Sequence, residues 1–225
     1  MKVPEAVGRL VEGWELNGRS PARPVTWKQG VWNRQFGRNE PEFVFLSSLP
    51  DALTRAGGEL IGAEAAKSLE SSREAFLYSM VWGFGPTNYG AWRTKEILRV
   101  NSRPYEALLN CAKSVEADGG IEGYRYLANE GRLKGFGPAF ATKYLYFCSV
   151  SRPGERALVL DRLVADWLAR CTDLAINPTR WSTKNYVKYL EQMRDWSHSL
   201  NLSPEQLEAL IFEDERRRKS ENSSD

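Results

Sequence analysis

The chain is poor in the residues that build metal and thiol chemistry. Its 225 residues hold one histidine, His198, and three cysteines, Cys111, Cys148 and Cys171. A single histidine removes histidine-rich metal sites and argues against a Ser-His-Asp arrangement; His198, near the end of a helical pattern, reads as a surface residue. The cysteines lie far apart in apolar helical patterns and read as buried thiols of a cytosolic protein. Strand signals are few, with only Phe43 to Leu46 readable as a short strand or a buried turn. No apolar run approaches the roughly 18 residues of a membrane span, and Met1 to Leu10 has none of signal-peptide length, so the expected location is the cytoplasm, with no membrane contact. There is no internal repeat. Neither sign of charge dominates: 31 Lys and Arg against 29 Asp and Glu leave a net charge of +2, too little to argue nucleic-acid binding from composition.

What is present is apolar and helical. Apolar residues make up 42% of the chain and aromatics 12%, including eight tryptophans, which excludes a disordered chain. The length suffices for one large core, or for two small helical lobes around a cleft. Ser71-Ser72-Arg73-Glu74 reads as a capping box opening a helix through Phe76, Leu77, Met80 and Val81 that ends at a Gly83/Gly85 turn. Trp92, Ile97 and Leu98 mark another helix, and Pro104 opens a third that Asp118-Gly119-Gly120 breaks. A fourth runs through Tyr124 and Leu127, and a fifth through Phe140, Tyr144 and Phe147. A sixth begins near Asp161 with Leu163, Val164, Trp167, Leu168 and Cys171 on one face. One through Tyr186, Leu190 and Met193 follows, then one opened by Ser203-Pro204-Glu205-Gln206. Glu213 to Asp225 reads as a charged, frayed tail.

The most informative stretch is Leu133-Lys134-Gly135-Phe136-Gly137-Pro138-Ala139-Phe140-Ala141, followed later by Leu160-Asp161-Arg162. It reads as a helix, a glycine hairpin, a second helix and a lone carboxylate. Two glycines permit positive φ and turn backbone N–H groups outward, and Pro138 fits the first turn of the next helix. The exposed amides and the positive helix end form a site for one nucleic-acid phosphate. Basic residues concentrate there: Arg132, Lys134, Lys143, Arg152, Arg156 and Arg162.

This segment resembles the helix-hairpin-helix of the base-excision DNA glycosylase superfamily, in register at Leu133, Gly135, Gly137 and Ala141, with Asp161 in the place of the catalytic aspartate. Lys134 stands where that family usually has proline, and Ala139 where bifunctional members carry a lysine nucleophile. The resemblance therefore implies no Schiff base at that position. Some relatives hold an iron–sulfur cluster on four closely spaced cysteines, which three scattered ones do not supply. A second stretch, Trp82-Gly83-Phe84-Gly85-Pro86-Thr87-Asn88-Tyr89-Gly90-Ala91-Trp92-Arg93-Thr94, is similar to a signature of prokaryotic proteins with an 8-oxoguanine-glycosylase-like (OGG) fold. The resemblance implies an all-α helix-hairpin-helix glycosylase fold, with helical lobes around a DNA- and base-binding cleft. It covers about residues 70 to 213, so the expected division is an N-terminal segment 1–70 packing on or completing the pocket, a core 71–212 and a flexible tail 213–225.

The chemistry then centres on Asp161. Breaking an N-glycosidic bond builds positive charge on the sugar, and a carboxylate held against C1′ stabilises it and activates the attacking water. The competing reading is an ordinary helix N-cap. Lys134, Gly135, Gly137, Ala139, Lys143 and Arg162 are the expected phosphate-binding positions. Lys143, one turn beyond Ala139, is also a candidate displaced nucleophile. A flipped base needs a wedge and aromatic walls, for which Trp82, Phe84, Asn88, Tyr89 and Arg93 are candidates, with Trp27 and Trp32 from the N-terminal part; core packing is the alternative for the tryptophans. The expected partner is double-stranded DNA carrying a modified base, with no cofactor and no metal. The relatives imply two substrate classes, a hypermodified phage base such as glucosylated hydroxymethylcytosine in antiviral defence, or oxidised guanine in repair. Two further classes stay open: a non-catalytic helix-hairpin-helix DNA-binding module and a partner-binding helical protein.

Overall fold

The computed structural model describes residues 3–20 and 22–222. Among these are 12 α-helices, a single 3-10 turn (Pro153–Glu155) and a two-stranded antiparallel sheet pairing β1 (Val25–Thr26) with β2 (Ala52–Leu53), so the architecture is all-α as expected. The chain divides into two compact units. One spans Arg23–Ala157 and the other is formed by both ends, up to Ala22 and from Leu158 onward. This differs from a boundary at residue 70: residues 23–70 pack with the helices that follow them, while the first helix belongs with the last three.

The Arg23–Ala157 unit contains α2 (Gln29–Asn33), α3 (Pro41–Ser48), α4 (Arg55–Gly62), α5 (Leu69–Phe84), α6 (Tyr89–Val100), α7 (Pro104–Asp118), α8 (Gly120–Ala128) and α9 (Pro138–Cys148). Helix α5 buries every residue from Ala75 to Val81 and α9 every residue from Ala141 to Cys148, the pattern of central helices with neighbours on all sides. Tyr144 ties three elements together, its hydroxyl donating to Leu108 O of α7 at 2.9 Å and sharing a 3.0 Å hydrogen bond with Ser72 Oγ of α5. Helix α4 crosses α9 where Gly58 and Gly62 face Phe147; a Cβ at Gly62 would fall 2.3 Å from the Phe147 carbonyl oxygen.

Two local readings are corrected here. The cap of α5 is Ser68, whose Oγ accepts from Ser71 N at 3.0 Å, so the helix starts a turn before the expected box at Ser71. Phe43 to Leu46 is the middle of α3, not a strand, because Pro41 and Glu42 set up a helical first turn that the apolar run continues. Helices α5 and α7 stop at glycines with positive φ, Gly85 at 57° and Gly119 at 85°, as the punctuation implied.

The other unit packs α1 (Glu5–Leu16) with α10 (Arg162–Cys171), α11 (Thr183–Ser199) and α12 (Pro204–Glu221). The Ser203/Gln206 capping box opens α12 with both of its hydrogen bonds present. Residues 213–221, expected to be a frayed tail, are instead the last turns of α12; the remainder of that tail beyond Asn222 lies outside the described residues. Ion pairs at helical spacing hold these turns: Arg216 with Glu213 at 2.6 Å, Arg217 with Asp214 at 2.9 Å and Arg218 with Glu215 at 2.6 Å. Three contacts fix α12 to α10, namely Trp167 Nε1 to Asp214 at 2.9 Å, Arg170 to Glu215 at 2.7 Å, and Lys219 to Asp166. His198 is exposed in the last turn of α11.

Two stability measurements follow. Gly62→Ala should cost about 3 kcal/mol in urea unfolding, since the new methyl meets backbone that cannot rotate away. The Arg218 guanidinium beside Glu215 holds its carboxyl below the usual carboxylate range. Its contribution is therefore fully present above the unfolded pKa of about 4.3 and is lost as pH falls through the lower folded value. Glu215→Gln should be destabilised by about 1–3 kcal/mol at neutral pH, with the deficit shrinking in acid.

Candidate nucleic-acid interface and carboxylate

The hairpin joins α8 to α9. Leu133 and Phe136 are buried anchors, with Phe136 edge-on to Phe76 of α5 at 5.4 Å. Between them Phe136 N donates to Leu133 O at 3.1 Å, and Gly135 has φ of 87°, so Leu133 to Phe136 form a type II turn with Lys134 at its second position. Gly135 thus needs to be glycine for its backbone. Gly137 does not: its φ is −86°, and a Cβ there would meet nothing within 4 Å. The expectation that both glycines use positive φ holds for the first alone. Among the described residues none offers an acceptor to the N–H of Gly135, Gly137 or Ala139. With Pro138 in the first turn of α9, these amides surround the positive end of a helix, an arrangement suited to an anion.

The basic residues divide sharply. Lys134 and Arg132 are exposed in the same unit as the hairpin, and Arg162, in the other unit, has an 85% exposed side chain. Lys143 is only 5% exposed, which corrects its reading as a surface phosphate contact. Its stem occupies the space beside Gly83, where a Cβ would lie 2.7 Å from Lys143 Cδ, and its amine donates to Ala139 O at 3.3 Å. Arg93, expected at a base pocket, instead donates from Nη2 to Gly135 O at 2.9 Å and helps hold the hairpin on α6.

The aromatic candidates also separate. Trp32 is fully buried and Trp27 nearly so, their rings 6.3 Å apart, so both pack the unit and present no face to solvent. Trp82 is half-buried, edge-on to Phe147 at 5.4 Å and covered by the Arg55 guanidinium. Phe84, Tyr89 and Asn88 lie at the junction of α5 and α6. Phe84 stacks on Phe140 of α9 at 4.1 Å and meets Tyr89 at 5.9 Å; Tyr89 in turn lies 5.4 Å from Trp92. Tyr89 is 54% and Trp92 49% exposed, and Asn88 is exposed beside them. Phe140 was missed as part of this ladder, because its place in the apolar stripe of α9 reads as core.

Asp161 lies in the other unit, as the N-cap of α10. Its Oδ1 accepts from Leu163 N at 3.0 Å and Val164 N at 3.2 Å. The segment that delivers it, Leu158 to Leu160, is buried and lies outside any helix or strand. Tyrosines of α11 satisfy its backbone: Tyr186 accepts from Leu158 N at 3.1 Å and donates to Leu158 O at 2.8 Å, and Tyr189 donates to Val159 O at 2.8 Å. The carboxylate is thus both a cap and rigidly presented.

Cys111 and Cys148 are buried, and burial pushes the Cys148 thiol up to about 12, so both are inert side chains at neutral pH. Among the described residues no group of three or more His, Cys, Asp and Glu is placed to hold a metal ion, and no helix is long and apolar enough to cross a membrane.

A protein-family model described as "Putative 8-oxoguanine DNA glycosylase OGG-like protein" matches residues 18–212. No curated protein and no solved structure matches the chain.

The contrast between the glycines gives a direct check on the hairpin. Gly137→Ala should leave unfolding free energy unchanged or raise it by up to about 1 kcal/mol, yet weaken DNA binding across all sequences, because the methyl group occupies the approach to the amides. Equal affinity of the variant and wild type in a titration would place the anion elsewhere.

Proposed function

The chain belongs to the family described as "Putative 8-oxoguanine DNA glycosylase OGG-like protein", a description that points to base excision from DNA, and from that premise we propose that it is a monofunctional DNA N-glycosylase. The observation that carries this reading is the hairpin: three amides without acceptors among the described residues around Gly137, a glycine that neither its own φ nor any neighbour requires. Such a site suits a phosphate brought close to bare backbone, with Lys134 adding charge. Arg162 is proposed as a second phosphate contact, on the strength of its exposure next to Asp161.

In the proposed reaction the base leaves with the electron pair of the C1′–N bond, and the sugar becomes an oxocarbenium-like cation. Asp161 stabilises that cation and takes a proton from the water that adds to C1′; the departing base takes up one proton from solvent, and Asp161 returns its proton to solvent, so that one water is consumed overall. The product is an abasic site with both phosphodiester bonds intact. Ala139 has no amine, so no Schiff base forms from that position, in keeping with a monofunctional enzyme.

The substrate we propose is duplex DNA with a flipped base. Phe84 and Tyr89, with Asn88 beside them, are suited to fill the gap or wall the base, since rings that are half-exposed and mutually supported stack at low entropic cost. Trp27 and Trp32 are left out of this role by their burial. A hypermodified phage base, such as glucosylated hydroxymethylcytosine, in cytoplasmic antiviral defence is the reading we favour; it rests on the likeness of the Trp82 to Thr94 signature to prokaryotic proteins and on the openness of this aromatic face. Oxidised guanine, from the family description, is the alternative.

Alkali-developed cleavage of unmodified, 8-oxoguanine-containing and glucosyl-hydroxymethylcytosine DNA tests the proposal. Abasic sites should form in one modified substrate and fall by about 10²-fold or more in Asp161→Asn, a variant that should still fold because asparagine also caps helices. Full activity in that variant would remove Asp161 from the mechanism. Strand breaks before alkali would instead identify an amine nucleophile, with Lys143 first to be examined.

A further inference from the structure

The hairpin amides keep their direction only if the peptide planes around Lys134 are held, and a lysine at this position does not fix its own φ as a proline would. The structure supplies another device. Asn101, the residue that ends α6, turns its side-chain amide onto the Lys134 backbone: Oδ1 accepts from Lys134 N at 2.9 Å, and Nδ2 donates to Lys134 O at 3.0 Å. The same Nδ2 donates to Ile97 O at 2.8 Å, which fixes the side chain to the last turn of its own helix. One amide thus behaves as a short piece of β-ladder, pairing with both polar groups of one residue.

The geometry of a trans peptide gives this pairing its consequence. Lys134 O and Gly135 N–H belong to the same peptide plane and point in opposite directions; there is no cis peptide bond among the described residues. Drawing Lys134 O onto α6 therefore aims the Gly135 N–H away from α6. The next plane is set likewise, with Gly135 O on Arg93 and Phe136 N on Leu133 O. We propose that Asn101 is a positioning residue for phosphate capture, aiming the Gly135 amide by pairing with both polar groups of Lys134. The proposal rests on the DNA-binding reading of the hairpin and adds a residue to it that makes no contact with DNA itself.

Proline at position 134 would preset the second position of the type II turn and remove the N–H that Asn101 accepts. The test is a double-mutant cycle of Asn101→Ala and Lys134→Pro, read as affinity for an unmodified fluorescent duplex over a range of salt. Asn101→Ala alone should weaken binding by about tenfold, the scale of one hydrogen bond, with the slope of log affinity against log salt nearly unchanged, because the amide it aims carries no charge. In the Lys134→Pro background the same substitution should weaken binding by less than about twofold, because the turn no longer depends on it. Equal losses in both backgrounds, or wild-type affinity in a folded Asn101→Ala protein, would show that Asn101 does not aim the amide and overturn the proposal. Should Lys134→Pro fail to fold, the affinity of Asn101→Ala, measured well below its unfolding midpoint, decides the matter by itself. Wild-type protein without salt-dependent affinity would remove the DNA reading of the hairpin, a different failure from that of Asn101.

Discussion

Burial of α9 on all sides is the constraint on which the larger unit depends. A helix enclosed in this way needs neighbours that give up their side chains at the points of closest approach, and the chain places Gly58, Gly62 and Gly83 there. These glycines are in ordinary helical backbone, so what they provide is room. With α9 fixed, its first turn has no freedom to tilt, and the hairpin that precedes it inherits that rigidity. Enclosure also takes Lys143 out of solvent and draws Phe140 into the stack with Phe84. Surface chemistry at one end of the helix is thereby set by packing along its length.

Much of this was legible in the sequence, wherever local chemistry decided the outcome. The glycine stops after α5 and α7, the proline starts of α7, α9 and α12, the Ser203/Gln206 box and the Asp161 cap all form as the residues imply. Where nearby alternatives competed, the reading slipped. Ser68 and Ser71 both suit a cap, and the earlier one wins because α5 gains a further turn; Phe43 to Leu46 is too short and uniformly apolar for its period to be told. Long-range contacts were the least accessible. Nothing near Lys143 in sequence announces that Gly83 makes room for its stem, and nothing near Arg93 or Asn101 announces a hairpin some forty and thirty residues away as their partner. Asn101 followed by Ser102 and Arg103 reads only as the end of a helix.

The hairpin and the carboxylate, carried in different units, handle backbone polarity in opposite ways. At Gly135, Gly137 and Ala139 backbone donors are left without acceptors among the described residues; along Leu158 and Val159 the backbone is buried and three of its polar groups are met by tyrosine hydroxyls. The first arrangement costs stability unless something outside the chain supplies an acceptor. The second adds stability and leaves the carboxylate little freedom.

The tyrosine pairing also sets a timescale. Because the Tyr186 hydroxyl bonds both polar groups of Leu158 and the Tyr189 hydroxyl bonds Val159 O, the segment before Asp161 is secured in the manner of a sheet edge by two side chains of α11. A strand would release such a segment by fraying from an end, residue by residue. Two phenols one turn apart on α11 let it go together, when that stretch of α11 opens. How long the carboxylate stays in place therefore depends on the local unfolding of a helix that begins more than twenty residues later in the chain, as well as on α10, which the carboxylate caps.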